Sequence, residues 1–112
     1  MTLDALRAFG ANTAEGMGRC LNNESFYLKM VAMTLADRNF DALKTAMDAR
    51  DMSGAFAAAH SLKGTTGNVA LTPIYEPICA LTELLRGKDA PAEGGDALLE
   101  QIMAARERAL RL

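Results

Sequence analysis

The stretch that decides the fold lies at residues 52–71 and reads MSGAFAAAHSLKGTTGNVAL. It contains no proline, and Asp51 just before it is a good helix cap. A helix over the whole stretch, at about 1.5 Å per residue, would be roughly 30 Å long. At about 100° per residue, His60 falls on one side and the apolar stripe on the other. The stripe consists of Ala55, Ala58, Leu62 and Val69. We therefore predict a helix that buries the stripe and exposes His60.

The remainder of the chain also has a helical pattern. Ala, Leu and Met dominate, prolines number 3, and no segment alternates with the period of a strand. The other predicted helices are one capped by Thr2 and ending at Gly10, one capped by Thr13 and ending near Asn22-Asn23, one from about Glu24 to Ala36, one capped by Asn39, one capped by Thr72 with Pro73 at its first position and ending at Gly87, and one after Gly95. The helices before and after Asp37 are either separate or one helix with a bend there.

Short connections between these helices make consecutive helices antiparallel neighbours. The predicted fold is all-α, an antiparallel up-down four-helix bundle with one or two short additional N-terminal helices. A length of 112 residues fits one domain, which we place at 1–112 with a bundle core at about 24–112.

Composition excludes several classes of protein. Lys plus Arg number 12 and Asp plus Glu 14, a formal net charge of −2, so the basic excess of a nucleic-acid-binding module is missing. The 2 cysteines are far apart and there is 1 histidine, which argues against a disulfide framework or a metal site. No apolar run approaches the ~18 residues of a membrane helix, and the first residues do not resemble a signal peptide. We expect a cytoplasmic protein that acts away from membranes.

The face around His60 carries two glycines, which are unusual in the middle of a helix. Lys63, Gly64 and Gly67 follow His60 at helical spacing, and each glycine costs about 1 kcal/mol relative to alanine. Missing side chains would let a partner approach His60. A neutral imidazole nitrogen is a nucleophile, and the Lys63 ammonium would favour an anion beside it. This combination suits a transient phosphoryl group on nitrogen.

The same face also allows a purely structural role. The two glycines could instead let another helix cross closely, which requires that they face the bundle. Phe56 and Leu71 lie on the outward side, where an exposed aromatic next to a reactive group would serve as a docking contact. If the positions on the helical wheel were rotated by one residue, Phe56 would belong to the core.

The segment at 59–69, AHSLKGTTGNV, resembles the signature of histidine-containing phosphotransfer (HPt) domains. Its core is His-x-Leu-Lys-Gly, followed by a small residue and an asparagine. The resemblance extends from about Glu24 to the C-terminus, through the capped helix before the histidine and the Leu-Thr-Pro break after it. These domains are helical bundles that act in phosphorelays.

The resemblance implies a role for each residue of the motif. His60 would carry the phosphoryl group, Lys63 would support it, and Gly64 and Gly67 would clear space for the partner. Asn68 matches a position that is often polar in the family. The chain would be a monomeric phosphocarrier, not an enzyme, and would bind no cofactor itself. Its partners would be response-regulator receiver domains, which bring their own aspartate and Mg²⁺, and a hybrid histidine kinase.

Two questions stay open in the sequence. The same bundle could recognise a receiver domain without phosphotransfer, as a binding adaptor, although an intact His60 argues against this. The chain could also be a protein by itself or one domain of a larger kinase.

Overall fold

The computed structural model describes residues 1–112, which form seven helices and no strand. The helices are α1 (Leu3–Phe9), α2 (Thr13–Arg19), α3 (Glu24–Leu35), α4 (Asn39–Asp48), α5 (Met52–Asn68), α6 (Thr72–Leu85) and α7 (Gly95–Leu110). None of them is both long and apolar enough to cross a membrane. The predicted all-α class is confirmed.

Side-chain caps start four of these helices. Thr2, Asn12, Asn23 and Asp51 each accept a hydrogen bond from the backbone N–H three residues later, at 3.0–3.1 Å. Such a cap satisfies one of the N–H groups that the first turn leaves without a partner. The predicted caps Thr2 and Asp51 are confirmed. The predicted cap Thr13 was wrong, because Asn12 holds that position and Thr13 is already helical.

Two further predicted caps were also wrong. Asn39 is the first residue of α4, and its side chain donates to the Ser61 hydroxyl at 3.1 Å instead of capping its own helix. Thr72 is the first residue of α6, so Leu71 holds the cap position without a capping side chain. Residues 36–38 lie between α3 and α4, which are therefore two helices.

The helix that carries His60 ends earlier than predicted. It stops at Asn68 because Ala70 adopts the left-handed conformation, with φ of 55°. The Leu71 N–H then donates to the Thr66 carbonyl at 3.0 Å, and the Ala70 N–H to the Gly67 carbonyl at 3.1 Å. This pair of bonds is the Schellman motif, which satisfies the last carbonyls of a helix. The turn directs Leu71 into the interior, where it is fully buried.

The bundle consists of α4, α5, α6 and α7. Each packs against the next in chain order, and α7 closes the ring against α4. The connections before α5 and α6 are only three residues long, which makes these neighbours antiparallel. The predicted four-helix bundle is confirmed, and three helices, α1, α2 and α3, precede it where one or two short ones were predicted. Its fully buried side chains include Phe40, Leu43, Ala55, Leu62, Ile74, Ile78, Leu81 and Ile102.

The N-terminal helices are attached at the end of α5. The Tyr27 hydroxyl of α3 donates to the Val69 carbonyl at 2.9 Å inside the protein, and the Asn12 N–H donates to the Ala70 carbonyl at 3.0 Å. Gly16 of α2 makes room for the Tyr27 ring, since a Cβ at Gly16 would overlap with it. As a result, α2 lies beside the last turns of α5, close to the face that carries His60.

Candidate functional site

His60 lies in the middle of α5 and is exposed. The apolar stripe on the other side of the helix, from Ala55 to Val69, is buried as predicted. The wheel derived from the sequence therefore has the correct rotation, and the imidazole faces outward because the stripe faces the core. The imidazole is therefore accessible to a second molecule.

An aromatic ring lies beside the imidazole, and a guanidinium group lies over that aromatic ring. The Phe56 ring, one turn earlier, stacks on the imidazole with 5.8 Å between ring centroids and 28° between planes. Helix α6 ends at Leu85 and not at the predicted Gly87, so Arg86 is its C-cap. The Arg86 Cζ lies 5.2 Å from the Phe56 centroid. We call His60, Phe56 and Arg86 the Phe56 column.

A carboxylate holds the guanidinium end of the Phe56 column. Arg86 donates to both oxygens of Glu83, at 3.2 and 2.9 Å. These hydrogen bonds and the positive charge of Arg86 lower the pKa of Glu83 from its ordinary value, and Lys63 contributes to the same shift. Lys63 is half-buried and makes no ion pair of its own. Two cations, Arg86 and Lys63, thus act on one carboxylate.

A groove of about 720 Å³ opens beside His60. It runs along the outward side of α5 and is bordered by α2 and by the first turns of α6. Its polar character suits a protein surface or an anion more than an apolar ligand. Its lining residues are Asn12, Glu15, Arg19, His60, Lys63, Gly64, Gly67, Asn68, Ala70, Thr72, Tyr75 and Glu76.

The contribution of α2 to this groove did not follow from the sequence. Arg19 donates to the Gly67 carbonyl and to the Glu15 carboxylate. The two helices are far apart in the chain, and α2 is short and contains glycines, so its pattern indicates no buried face. The spacing of Glu15 and Arg19 predicts only a local ion pair. The long-range bond to a helix carbonyl left no signal in the sequence.

The two glycines after His60 have different surroundings. A Cβ on Gly64 would have no atom within 4 Å, so this position is open to solvent and to a partner. A Cβ on Gly67 would come within 2.8 Å of Cε1 of Tyr75. The structural role, close approach of another helix, therefore applies at Gly67, because α6 starts there. The clearance that we expected for a partner exists at Gly64.

Leu71, Asn68 and Phe56 lie in three different environments in the structure. Leu71 was wrongly placed on the outward face, because the turn after α5 buries it completely. Asn68 is exposed and lines the groove. Phe56 falls between the two alternatives: it is half-buried and packs against the core, while its ring still stacks on His60.

Comparison with protein families agrees with this geometry. The model of the family described as Hpt domain matches residues 29–110. The chain belongs to this family, whose members are phosphocarrier modules that act with receiver domains in phosphorelays. Neither the curated proteins nor the solved structures gave a match. The matched segment contains the Phe56 column, Lys63 and both glycines, whereas α2 lies outside it.

Proposed function

We propose that His60 carries a phosphoryl group between the aspartates of receiver domains in a phosphorelay. The observation that carries this proposal is the exposed imidazole next to the open position at Gly64, within the segment that matches the family. A receiver domain needs such an unobstructed surface to bring its aspartate to the imidazole. Lys63, one turn from His60, adds a cation on the same side of the helix.

The transfer is a displacement at phosphorus between nitrogen and oxygen. A neutral imidazole nitrogen of His60 attacks the aspartyl phosphate, so that a P–N bond forms while the P–O bond to the aspartate breaks. The electron pair of the broken bond returns to the carboxylate. The reverse reaction restores the imidazole and phosphorylates another receiver. Positioning and charge stabilisation account for most of the catalysis in this kind of reaction.

The chain contributes access, orientation and one cation to this reaction. The Lys63 ammonium compensates part of the charge on the three phosphoryl oxygens. The face of α5 around Gly64 accepts the receiver surface. The receiver contributes its aspartate and Mg²⁺, which neutralises charge on the phosphoryl oxygens. A carrier of this kind needs no cofactor of its own.

The proposal extends to the setting of the reaction. A hybrid histidine kinase would supply the phosphoryl group through its receiver domain, and a response regulator would accept it. One exposed reactive face is sufficient for both steps, so we propose that the chain acts as a monomer. The cytoplasm, where receiver domains act, is the proposed compartment.

The test is transfer of labelled phosphate from phosphorylated receiver domains of the same organism, with Mg²⁺ present. We expect a label on the wild-type chain that is labile in acid and stable in base, as for a phosphoramidate bond. His60→Gln removes the nucleophile and retains an exposed polar side chain, so we expect a folded variant without label. Circular dichroism checks that both proteins fold.

Two results would overturn the proposal. A label that persists in His60→Gln would place the phosphoryl group elsewhere. Binding of receivers without transfer, across the complete set from the organism, would identify the chain as a receiver-binding adaptor.

A further inference from the structure

Two members of the Phe56 column, Phe56 and Arg86, lie outside the HPt signature motif, and the column connects α5 with the end of α6. Phe56 and His60 lie one turn apart on α5, whereas Arg86 lies at the end of α6. Stacked aromatic rings and a guanidinium group over an aromatic face attract each other. The three groups therefore form one continuous contact that links the reactive side chain to a second helix.

An exposed histidine otherwise has considerable rotational freedom. Its two side-chain torsions allow several rotamers, of which only some direct a nitrogen toward a partner. A ring stacked at 5.8 Å restricts these rotamers. Phe56 is itself restricted, since it packs against the core and has the Arg86 guanidinium at its ring.

We infer that Phe56 is a positioning residue for phosphotransfer, which holds the His60 imidazole in a restricted set of rotamers, with Arg86 and Glu83 supporting it. The inference rests on the proposed function and adds residues to it. Phe56 and Arg86 do not touch the phosphoryl group in this role. They reduce the entropy that the imidazole loses when it enters the in-line geometry.

Glu83 completes this arrangement. Its two hydrogen bonds restrict the plane of the Arg86 guanidinium more than a single bond would, although both side chains are exposed and water weakens the pair. A lysine at position 86 would retain the charge and lose this fork. The support therefore depends on the shape of arginine as well as on its charge.

The test uses a phosphoryl donor that needs no docking surface. Phosphoramidate transfers its phosphoryl group to imidazole: the new P–N bond forms as the bond to ammonia breaks, and ammonia leaves. The measured quantities are the rate of labelling at His60 and the NMR shifts of the His60 ring protons, which the ring current of Phe56 displaces. Phe56→Leu removes the ring but retains an apolar side chain, and Phe56→Tyr retains the ring.

We expect Phe56→Leu to lower the labelling rate about threefold to tenfold, the usual cost of ordering a free side chain. The displaced shifts of the His60 protons should disappear in the same variant. Phe56→Tyr should retain both the rate and the shifts. Arg86→Met should give a smaller loss of the same kind, of about twofold.

A matched control exists elsewhere in the chain. Arg108 lies over the Phe9 ring at 5.8 Å, a contact of the same type that involves α1. Arg108→Met should leave the rate and the His60 shifts unchanged. Thermal unfolding of all variants checks that the losses do not follow from global instability.

The outcomes distinguish this inference from the proposed function. If Phe56→Leu and wild type are labelled equally and have the same His60 shifts, the positioning role is overturned and the phosphocarrier function stands. If the wild-type chain takes no label at His60 from phosphoramidate or from any receiver, the proposed function is overturned.

Discussion

Two turns of the same helix differ in what surrounds them. Around Gly64, next to His60, the surface of α5 is open, and an added Cβ would contact nothing. Around Gly67, only three residues later, Tyr75 occupies the space beside the glycine and Arg19 binds its carbonyl. We call these the open turn and the closed turn of α5.

Two residues of the same type on one helix face therefore need not have the same role. At the closed turn, the missing side chain permits close packing between α5 and α6. At the open turn, no contact within the protein explains the glycine, which costs about 1 kcal/mol in helix stability. Because this open position lies one turn from His60, we expect its benefit to be access for another molecule.

The largest effect is expected from a side chain at the open turn. Gly64→Gln should stabilise the chain by about 0.5–1 kcal/mol through its higher helix propensity. It should nevertheless lower the rate of transfer from a receiver at least about tenfold, because the new side chain obstructs the approach to His60. Phosphoramidate, which is small, should label the variant at nearly the normal rate. Thermal unfolding and both labelling rates measure the three quantities.

Gly18 provides the matched control for this variant. It lies in α2, and an added Cβ there would also contact nothing. Gly18→Gln should stabilise the chain similarly and leave transfer from the receiver intact. Equal inhibition by both variants would contradict a special role for the open turn.

The exposure of His60 and the gap at Gly64 could be predicted from the sequence, because the signals for them are local. The apolar stripe opposite His60 fixes the rotation of α5, and the signature around Lys63 indicates the chemistry. Position 64 needed no information from other helices, since nothing packs there. Spacing within a single helix was therefore sufficient.

The closed turn could not be predicted in this way, because its contacts come from distant parts of the chain. Tyr75 and Arg19 reach Gly67 from α6 and α2, and their positions depend on how the helices pack. Leu71 was misplaced for a related reason. The wheel continued α5 through a turn that Ala70 produces with a left-handed conformation that non-glycine residues seldom adopt.

At the closed turn, an added side chain should lower the free energy of unfolding, whereas at the open turn it should raise it. Gly67→Ala gains helix propensity, but its Cβ would come within 2.8 Å of the Tyr75 ring, so packing must rearrange. Overpacking costs about 1–3 kcal/mol and the gained propensity offsets about 1 kcal/mol, so we expect a net loss of up to about 2 kcal/mol in the free energy of unfolding. In a Tyr75→Ala background the same substitution should stabilise the chain, which a double-mutant cycle in urea can measure. An equal loss in both backgrounds would show that the loss does not come from the contact between position 67 and Tyr75.

Just beyond the closed turn, Tyr27→Phe tests the buried bond between α3 and the end of α5. It removes the hydroxyl that donates to the Val69 carbonyl at 2.9 Å. We expect a loss of about 1 kcal/mol near neutral pH, because the carbonyl stays buried without this partner. Urea unfolding of the two proteins gives the difference directly.

The difference in stability between the wild-type chain and Tyr27→Phe should depend on pH. Burial raises the pKa of Tyr27 above its ordinary value of 10.0, and the charge of Cys20 adds to this. The unfolded chain then loses the phenol proton at lower pH than the folded chain does. The stability that Tyr27 contributes is therefore complete below 10.0 and declines as the pH rises through the raised pKa. The wild-type advantage over Tyr27→Phe should shrink in alkaline solution, and an advantage that grows would contradict this account.

The smallest effect is expected at Arg19, which ties α2 to the closed turn from the surface. Its side chain is 44% exposed, so water and salt weaken both of its bonds. Arg19→Met should cost less than about 1 kcal/mol in global stability.

Arg7→Met is the matched control, because Arg7 pairs only with Asp4 inside α1 and makes no bond to α5. If Arg19 holds α2 against the closed turn, amide exchange in α2 should accelerate in Arg19→Met and stay unchanged in Arg7→Met. Equal exchange in the two variants would mean that Tyr27 and Asn12, which bind the backbone just beyond that turn, are sufficient to keep the N-terminal helices in place.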